Sequence, residues 1–263
     1  MDFRVRATVA LFLAASLFLS VGPSDIAADD AQRPITAMLT AQVAAAACSV
    51  GIDELNHALL PATREQSLPD GYEPPDLAFA AEAGIPQQGW QQLRALIIPD
   101  TLALVEAARA DGLRLVVSSG YRSSAAQAST YRYWVGVRGQ EAADRVSARP
   151  GHSQHQLGTA IDFNFGALGG FATSPAGLWL WDHAHEYGFV FPYTVASVAQ
   201  SGYIFEPWHV RWVGRELAQL MRDQDYQSSD TVSADDYVAA AREALPAVPS
   251  SGVASCGGTG GQV

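Results

Sequence analysis

Residues 147–164, SARPGHSQHQLGTAIDFN, gather histidine, serine, glutamine, glycine and aspartate more densely than packing of a helix or strand requires. Within them His155 offers an imidazole nitrogen and Asp162 a carboxylate oxygen, both ordinary donors to a first-row metal. A strand-like TAIDF would aim Asp162 to one face and bury Ile161 and Phe163 on the other. Two donors make a poor site, and EPWH at 206–209 supplies the remainder. Glu206 and His209 are three apart, a spacing that a helical turn brings to one face. His155, Asp162 and His209 would give zinc two imidazoles and a carboxylate, with a fourth position open as catalysis requires. Glu206 would not be a ligand. It would act as general base, taking a proton from water as it attacks a carbonyl and delivering it to the leaving amine.

Each of these residues also has a plainer use. A histidine is more often a surface or hydrogen-bonded residue than a ligand, and a glutamate such as Glu206 can favour a helix N-terminus. His183 and His185 in WDHAHEYG are only two apart and read as flanks of an amphipathic helix rather than as ligands. Arg122 follows a strand-like run, where a guanidinium could fork onto a terminal carboxylate or an oxyanion, or form a structural ion pair. Tyr121 beside it reads as packing, and Trp179, Trp181, Trp208 and Trp212 as core or cleft wall.

The elements that must position these groups are legible from periodicity and punctuation. Residues 31–60 are alanine-rich and helical in pattern, with a break near Val50 and Gly51. LPDGYEPPDL at 68–77 is turn and extended chain. Residues 90–112 carry helical spacing interrupted at Pro99, with Asp100 able to cap the second helix and Gly112 to end it. A strand is predicted over 113–119, then helix over 123–147 broken around Gly136 to Gly139. Residues 178–191 read as helix, glycine stop and strand. GYIFEPWHVRWVG reads as a strand turning into a helix that continues through RELAQLMRD, and 232–244 as one more helix.

The 263-residue chain is long enough for a real core, and no internal repeat or clean linker divides it. Its net charge of −11, with arginine the only basic residue type besides histidine, argues against a nucleic-acid partner. Basic residues followed by the apolar run VALFLAASLFLSVG read as a secretory signal cleaved near Ala28, or, if uncleaved, as an N-terminal membrane anchor. Export to the cell envelope or beyond is therefore expected. Cys48 and Cys256 stand near opposite ends, where one bridge could join them, and neither is near the histidine cluster.

Several motifs, in order, give the chain a resemblance to a known family. SQHQLGTAID resembles the S-x-H-x-x-G-x-A-x-D signature of the zinc D-alanyl-D-alanine carboxypeptidases of peptidase family M15, in the vancomycin-resistance D,D-carboxypeptidase branch. EPWHVRWVG resembles that branch's E-P-W-H-x-R-Y-V-G element, SSGYRSSAAQ its S-G-Y-R-S-x-x-x-Q element, and LPDGYEPPDL and HEYGFVFPY its lead-in and Y-G-F segments. The likeness runs from about Leu68 to Gly214. It implies zinc on His155, Asp162 and His209, Glu206 as the base, Arg122 binding and polarising substrate, and Gln127 and Ser153 lining the substrate cleft. The sequence departs from the pattern at Trp212, where tyrosine is usual, at Val210, where a larger aromatic is common, and at His183, where asparagine often sits.

The implied fold is α+β of the LAS metallopeptidase type: a small, mostly antiparallel sheet flanked by helices, with zinc in an open cleft. The organisation read from the chain is a signal or anchor at 1–28, a helical extension at 29–60, the catalytic domain at 61–225, and a C-terminal helix with a flexible tail at 226–263. The implied activity is removal of the terminal D-alanine from peptidoglycan stem peptides by a monomer. L,D-carboxypeptidase or endopeptidase action on the same peptides, and a non-catalytic wall-binding protein, are the alternatives.

Overall fold

The structure is a computed structural model that describes residues 39–164 and 170–245. The expected signal or anchor, the C-terminal tail and Cys256 lie outside the described residues; Cys48 is disulfide-bonded. No helix among the described residues is long and apolar enough to cross a membrane.

A four-stranded antiparallel sheet carries the centre of the fold, in the order β3 (Val117–Ser119), β4 (Ala160–Phe163), β6 (His209–Trp212), β5 (Phe189–Val190). A separate hairpin pairs β1 (Leu77–Phe79) with β2 (Gln92–Arg94). Both central strands, β4 and β6, are buried along their whole length. Their short runs of branched and aromatic residues meet helices on one face and the site on the other. The expected α+β architecture is present.

Helices surround the sheet: α1 over residues 39–50, α2 (Ile52–Ala58), α3 (Ile98–Ala110), α4 (Ser124–Arg138), α5 (Gln140–Ala143), α6 (Pro175–His183), α7 (Val198–Ser201), α8 (Arg215–Asp223) and α9 (Ala234–Ala244). Leu39, Val43 and Leu55 from α1 and α2 enter the same core as Leu104 of α3, Phe163, Phe189, Trp212, Leu217 of α8 and Val238 of α9. The helical ends of the described chain are thus bound to the sheet by shared burial, the main stabilising contribution of such helices. Arg94, fully buried on β2, ties α2 to the hairpin through Glu54 and Asp76.

Several local expectations are corrected. Residues 90–97 do not form helix: Gln92–Arg94 is strand and Ala95–Ile97 a 3-10 turn. Pro99 opens α3 instead of interrupting a helix, because its missing N–H and fixed φ suit the first turn. Asp100 does not cap it; its carboxylate accepts from Trp212 Nε1 at 2.8 Å and Arg215 Nε at 2.8 Å, binding α3 to β6 and α8. The break expected around Gly136 to Gly139 is present, with helix α4 stopping at Gly139 and α5 beginning at Gln140. EPWH is not helical. His209 N donates to Glu206 O at 3.1 Å in a tight turn, and β6 begins at His209, so strand and not helix continues to Trp212.

Candidate metal centre and active-site cleft

Three strands converge at one end of the sheet. Ser119, Asp162 and His209 are cross-strand neighbours on β3, β4 and β6, which sets the Asp162 and His209 side chains next to each other. His155 comes from a 3-10 turn, Gln154–Leu157, that ends at Gly158 in the left-handed region and leads into β4. A Cβ at Gly158 would come within 3.0 Å of the Arg94 side chain, so both the φ of +70° and the close approach favour glycine. Leu157 packs with Ala62 and Leu68 in a small satellite core, and Gln156 Nε2 donates to Tyr72 O. The 68–77 segment thereby clamps the turn that carries His155.

The ligand atoms offered by His155, Asp162 and His209 all lie within 4.8 Å of one another, and all three residues are buried. Asp162 Oδ2 is 3.3 Å from His155 Nε2, and Oδ1 is 2.9 Å from His209 Nδ1. Zinc–ligand bonds of about 2.0–2.2 Å in a tetrahedron place ligand atoms about 3.4 Å apart, so the triad is close to what zinc requires. The outer ring nitrogens fit as well. His155 Nδ1 faces Gly120 O at 2.8 Å, and His209 Nε2 faces Gln154 Oε1 at 3.1 Å. Each acceptor selects the tautomer whose lone pair points into the triad. Tyr193 stacks on His209 at 5.1 Å between ring centroids. Burial alone would raise the Asp162 carboxyl, yet His155 and His209 together pull it far below the usual carboxylate range. Burial lowers His209 while Asp162 opposes the shift, so the ring favours the neutral form that a metal needs.

The triad floors a cleft of about 440 Å³ that also exposes Arg122, Ser153, Glu206 and Trp208. Glu206 makes no side-chain hydrogen bond or ion pair among the described residues. Its carboxyl is pushed well up by burial and then by Asp162, with the Arg122 guanidinium opposing. Arg122 has no carboxylate partner among the described residues, which removes the structural ion-pair reading. Instead Nη1 donates to Gln127 Oε1 at 2.9 Å and Nη2 to Ser119 Oγ at 2.8 Å. Gln127 is the one buried residue of α4, and its Nε2 is taken by Ser147 Oγ and Ala148 O. Gln127 lines the cleft as well, and with its polar atoms engaged by protein it aims Arg122.

His183 stacks on Trp179 and its Nδ1 meets Trp179 O, apart from the triad, and His185 is likewise outside the cleft lining. Trp212 and Val210 are core residues, so these departures from the family pattern do not reach the cleft wall. Gly120, Gln154 and Tyr193 were not singled out from the sequence. Gln154 stands beside His155 in the motif and could have been; the backbone carbonyl of Gly120 has no sequence signal. A Cβ on Gly120 would lie 2.5 Å from the Gln92 carbonyl oxygen. Gly120→Ala is therefore expected to lose about 1–3 kcal/mol by overpacking and to weaken zinc retention by displacing the His155 acceptor. Thermal unfolding with metal analysis of the same samples checks both effects.

The VanY family model, described as D-alanyl-D-alanine carboxypeptidase, matches residues 91–215, which include every member of the triad and Glu206. The bifunctional D-Ala-D-Ala dipeptidase and D-Ala-D-Ala carboxypeptidase VanXYC of Enterococcus gallinarum is 31% identical over 129 residues, covering 45% of this chain and 67% of the relative. The solved LdcB LD-carboxypeptidase aligns with a TM-score of 0.59 at 29% identity, over 69% of this chain and 86% of that one. A zinc-bound vancomycin-resistance D,D-pentapeptidase, a VanY variant from a VanB-type cassette, aligns with a TM-score of 0.55 at 28% identity, over 64% and 95%. The chain spans 34–62% of the length of three further curated relatives. The zinc-compatible triad on an antiparallel sheet and the motif-bearing span that the family model matches agree: this chain belongs to the M15, VanY-like D-alanyl-D-alanine carboxypeptidase family.

Proposed function

We propose that the protein is a zinc-dependent carboxypeptidase that removes the terminal D-alanine from peptidoglycan stem peptides in the cell envelope. One observation carries this reading: the Glu206 carboxyl and the Arg122 guanidinium, neither in an ion pair among the described residues, share one cleft with the buried His155–Asp162–His209 triad. Zinc held by those three residues supplies Lewis acidity toward the scissile carbonyl and toward the attacking water. Glu206 takes the proton of that water and returns it to the leaving amine; among the described residues no hydrogen bond holds its carboxyl back. Burial and the Asp162 charge raise the Glu206 carboxyl well above its ordinary value, and the Arg122 guanidinium opposes that shift in part. Arg122 also presents a preaimed fork to the substrate's terminal carboxylate, with Gln127 and Ser119 fixing its plane. Ser153 lines the wall beside the triad and offers the peptide a hydroxyl.

An L,D-carboxypeptidase acting on tetrapeptide stems is a second reading, favoured by the likeness to LdcB. Incubation of zinc-loaded protein with tri-, tetra- and pentapeptide stems, with products read by mass, separates the two. Loss of one D-alanine from the pentapeptide is expected; cleavage confined to the tetrapeptide selects the L,D reading, and no cleavage of any stem rejects both. Arg122→Ala is expected to lower kcat/KM roughly 10–100-fold on peptides with a free terminal carboxylate, since hydrogen bonds to charged groups are worth about 1.5–3 kcal/mol. The same peptide with an amidated terminus should be a poor substrate for both proteins.

A further inference from the structure

Helix α9 lies outside residues 91–215, the span that the family model matches, yet its first turn reaches Gln154, the neighbour of the triad. Gln154 Nε2 donates to Asp235 Oδ1 at 3.2 Å, while Gln154 Oε1 faces His209 Nε2 at 3.1 Å. Arg211, two residues after His209 and on the same face of β6, sets Nη1 3.4 Å from that Asp235 oxygen. Arg211 is only 1% exposed, and its Nη2 donates to the carbonyls of Ala58 and Leu60. A capping box of Ser233 and Asp236 fixes the turn that carries Asp235. The Asp235 carboxylate is therefore held between a guanidinium and the amide of Gln154.

We propose that Asp235 is a positioning residue for the metal ligand His209, acting through Gln154; this rests on the metal reading of the triad. A primary amide can face a neighbour with its donor or its acceptor end. Burial raises the Asp235 carboxyl and the Arg211 guanidinium opposes that shift; the ionised form accepts only, so it holds the Gln154 NH2 toward itself and turns Oε1 toward His209. That oxygen accepts from Nε2–H and leaves the lone pair of His209 on Nδ1, the nitrogen beside Asp162. With the amide reversed, an N–H would face Nε2 and favour a proton on Nδ1, where it displaces the metal. Asp235 thus sets the orientation of one amide, and the amide sets the tautomer of one ligand.

The test uses the full chain, zinc dissociation constants from competition with a chromophoric chelator, and hydrogen exchange of the His209 Nε2–H by NMR in the zinc-loaded protein. Asp235→Asn keeps the shape but loses the charge, and at the one position that Arg211 and Gln154 both meet it can set either its oxygen or its NH2. Its zinc binding is expected to weaken about 10-fold, with faster Nε2–H exchange, in line with the roughly 10–100-fold cost of losing a partner behind a ligating histidine. Gln154→Leu reads the same link without touching the Arg211 pair and is expected to weaken zinc by roughly 10–100-fold. Adding Asp235→Asn to Gln154→Leu should cost nothing more, because the route to His209 is already cut. A merely structural Asp235 would lower the unfolding temperature, leave zinc binding and Nε2–H exchange unchanged, and add to Gln154→Leu. Unchanged zinc binding in folded Asp235→Asn or in Gln154→Leu, or additive losses in the double variant, overturns the proposal. A wild-type chain that binds no zinc overturns the metal reading and this proposal with it; zinc-loaded wild type with indifferent variants overturns the positioning role alone.

Discussion

Glu206→Gln is expected to keep its zinc and lose turnover by ~10²–10⁴-fold, the span attributed to a general base. The separation between the two readouts follows from the site. Glu206 lines the cleft but is not among the three clustered ligands, and no hydrogen bond or ion pair among the described residues depends on its carboxylate. Replacing it with the isosteric amide removes basicity while leaving the β6 turn intact, since that turn is closed by the main-chain bond from His209 N to Glu206 O. The loss should appear in kcat and in kcat/KM alike, because the proton transfer belongs to the transition state and not to substrate binding. Hydrolysis of a D-Ala-D-Ala-ended stem peptide at matched zinc content is the measurement. Equal rates in the two proteins would show that the base lies elsewhere.

His209→Ala is expected to abolish stoichiometric zinc and, with it, hydrolysis. Removing this imidazole takes away one of three protein donors, so the loss of affinity should go well beyond the roughly 10–100-fold cost of a lost supporting hydrogen bond. It also leaves Asp162 without the neighbour that most closely approaches it, at 2.9 Å. His155→Ala and Asp162→Ala should behave alike. His183→Ala and His185→Ala supply the contrast: His183 is engaged with Trp179 by stacking and by Nδ1, and neither ring lines the cleft. Metal analysis of the purified variants decides the matter, and full zinc occupancy in His209→Ala would refute the ligand assignment.

The candidate ligands and the proposed base stand out in the sequence because they are packed into two short motifs, SQHQLGTAID and EPWH, whose residue types have few structural uses in common. Helix α9 was legible too, as a helix expected over 232–244 and found at Ala234–Ala244. What the sequence misassigned was the backbone that presents the chemistry. A spacing of three in EPWH suits a helical face, but a tight turn entering a strand achieves the same proximity, and tertiary pairing with β4 selects the turn. Residues 90–97 carry helical spacing, yet Gln92–Arg94 is drawn into strand by its hairpin partner β1. Long-range links left no trace in local pattern. Nothing near Asp235 signals that it would meet Gln154, and nothing in Asp100 that it would serve Trp212 and Arg215.

The register of β4 on β6 sets Asp162 opposite His209, two residues 47 apart in the chain. A slip of one residue would send one of these side chains through to the opposite face of the sheet. Metal affinity is therefore a property of the paired strands and is absent from the unpaired chain, which makes zinc a ligand of the native state by mass action. At a free concentration one hundred times its dissociation constant such a ligand adds about 2.7 kcal/mol to folding. Heat resistance and metal supply thus become one variable, read together in a single unfolding curve.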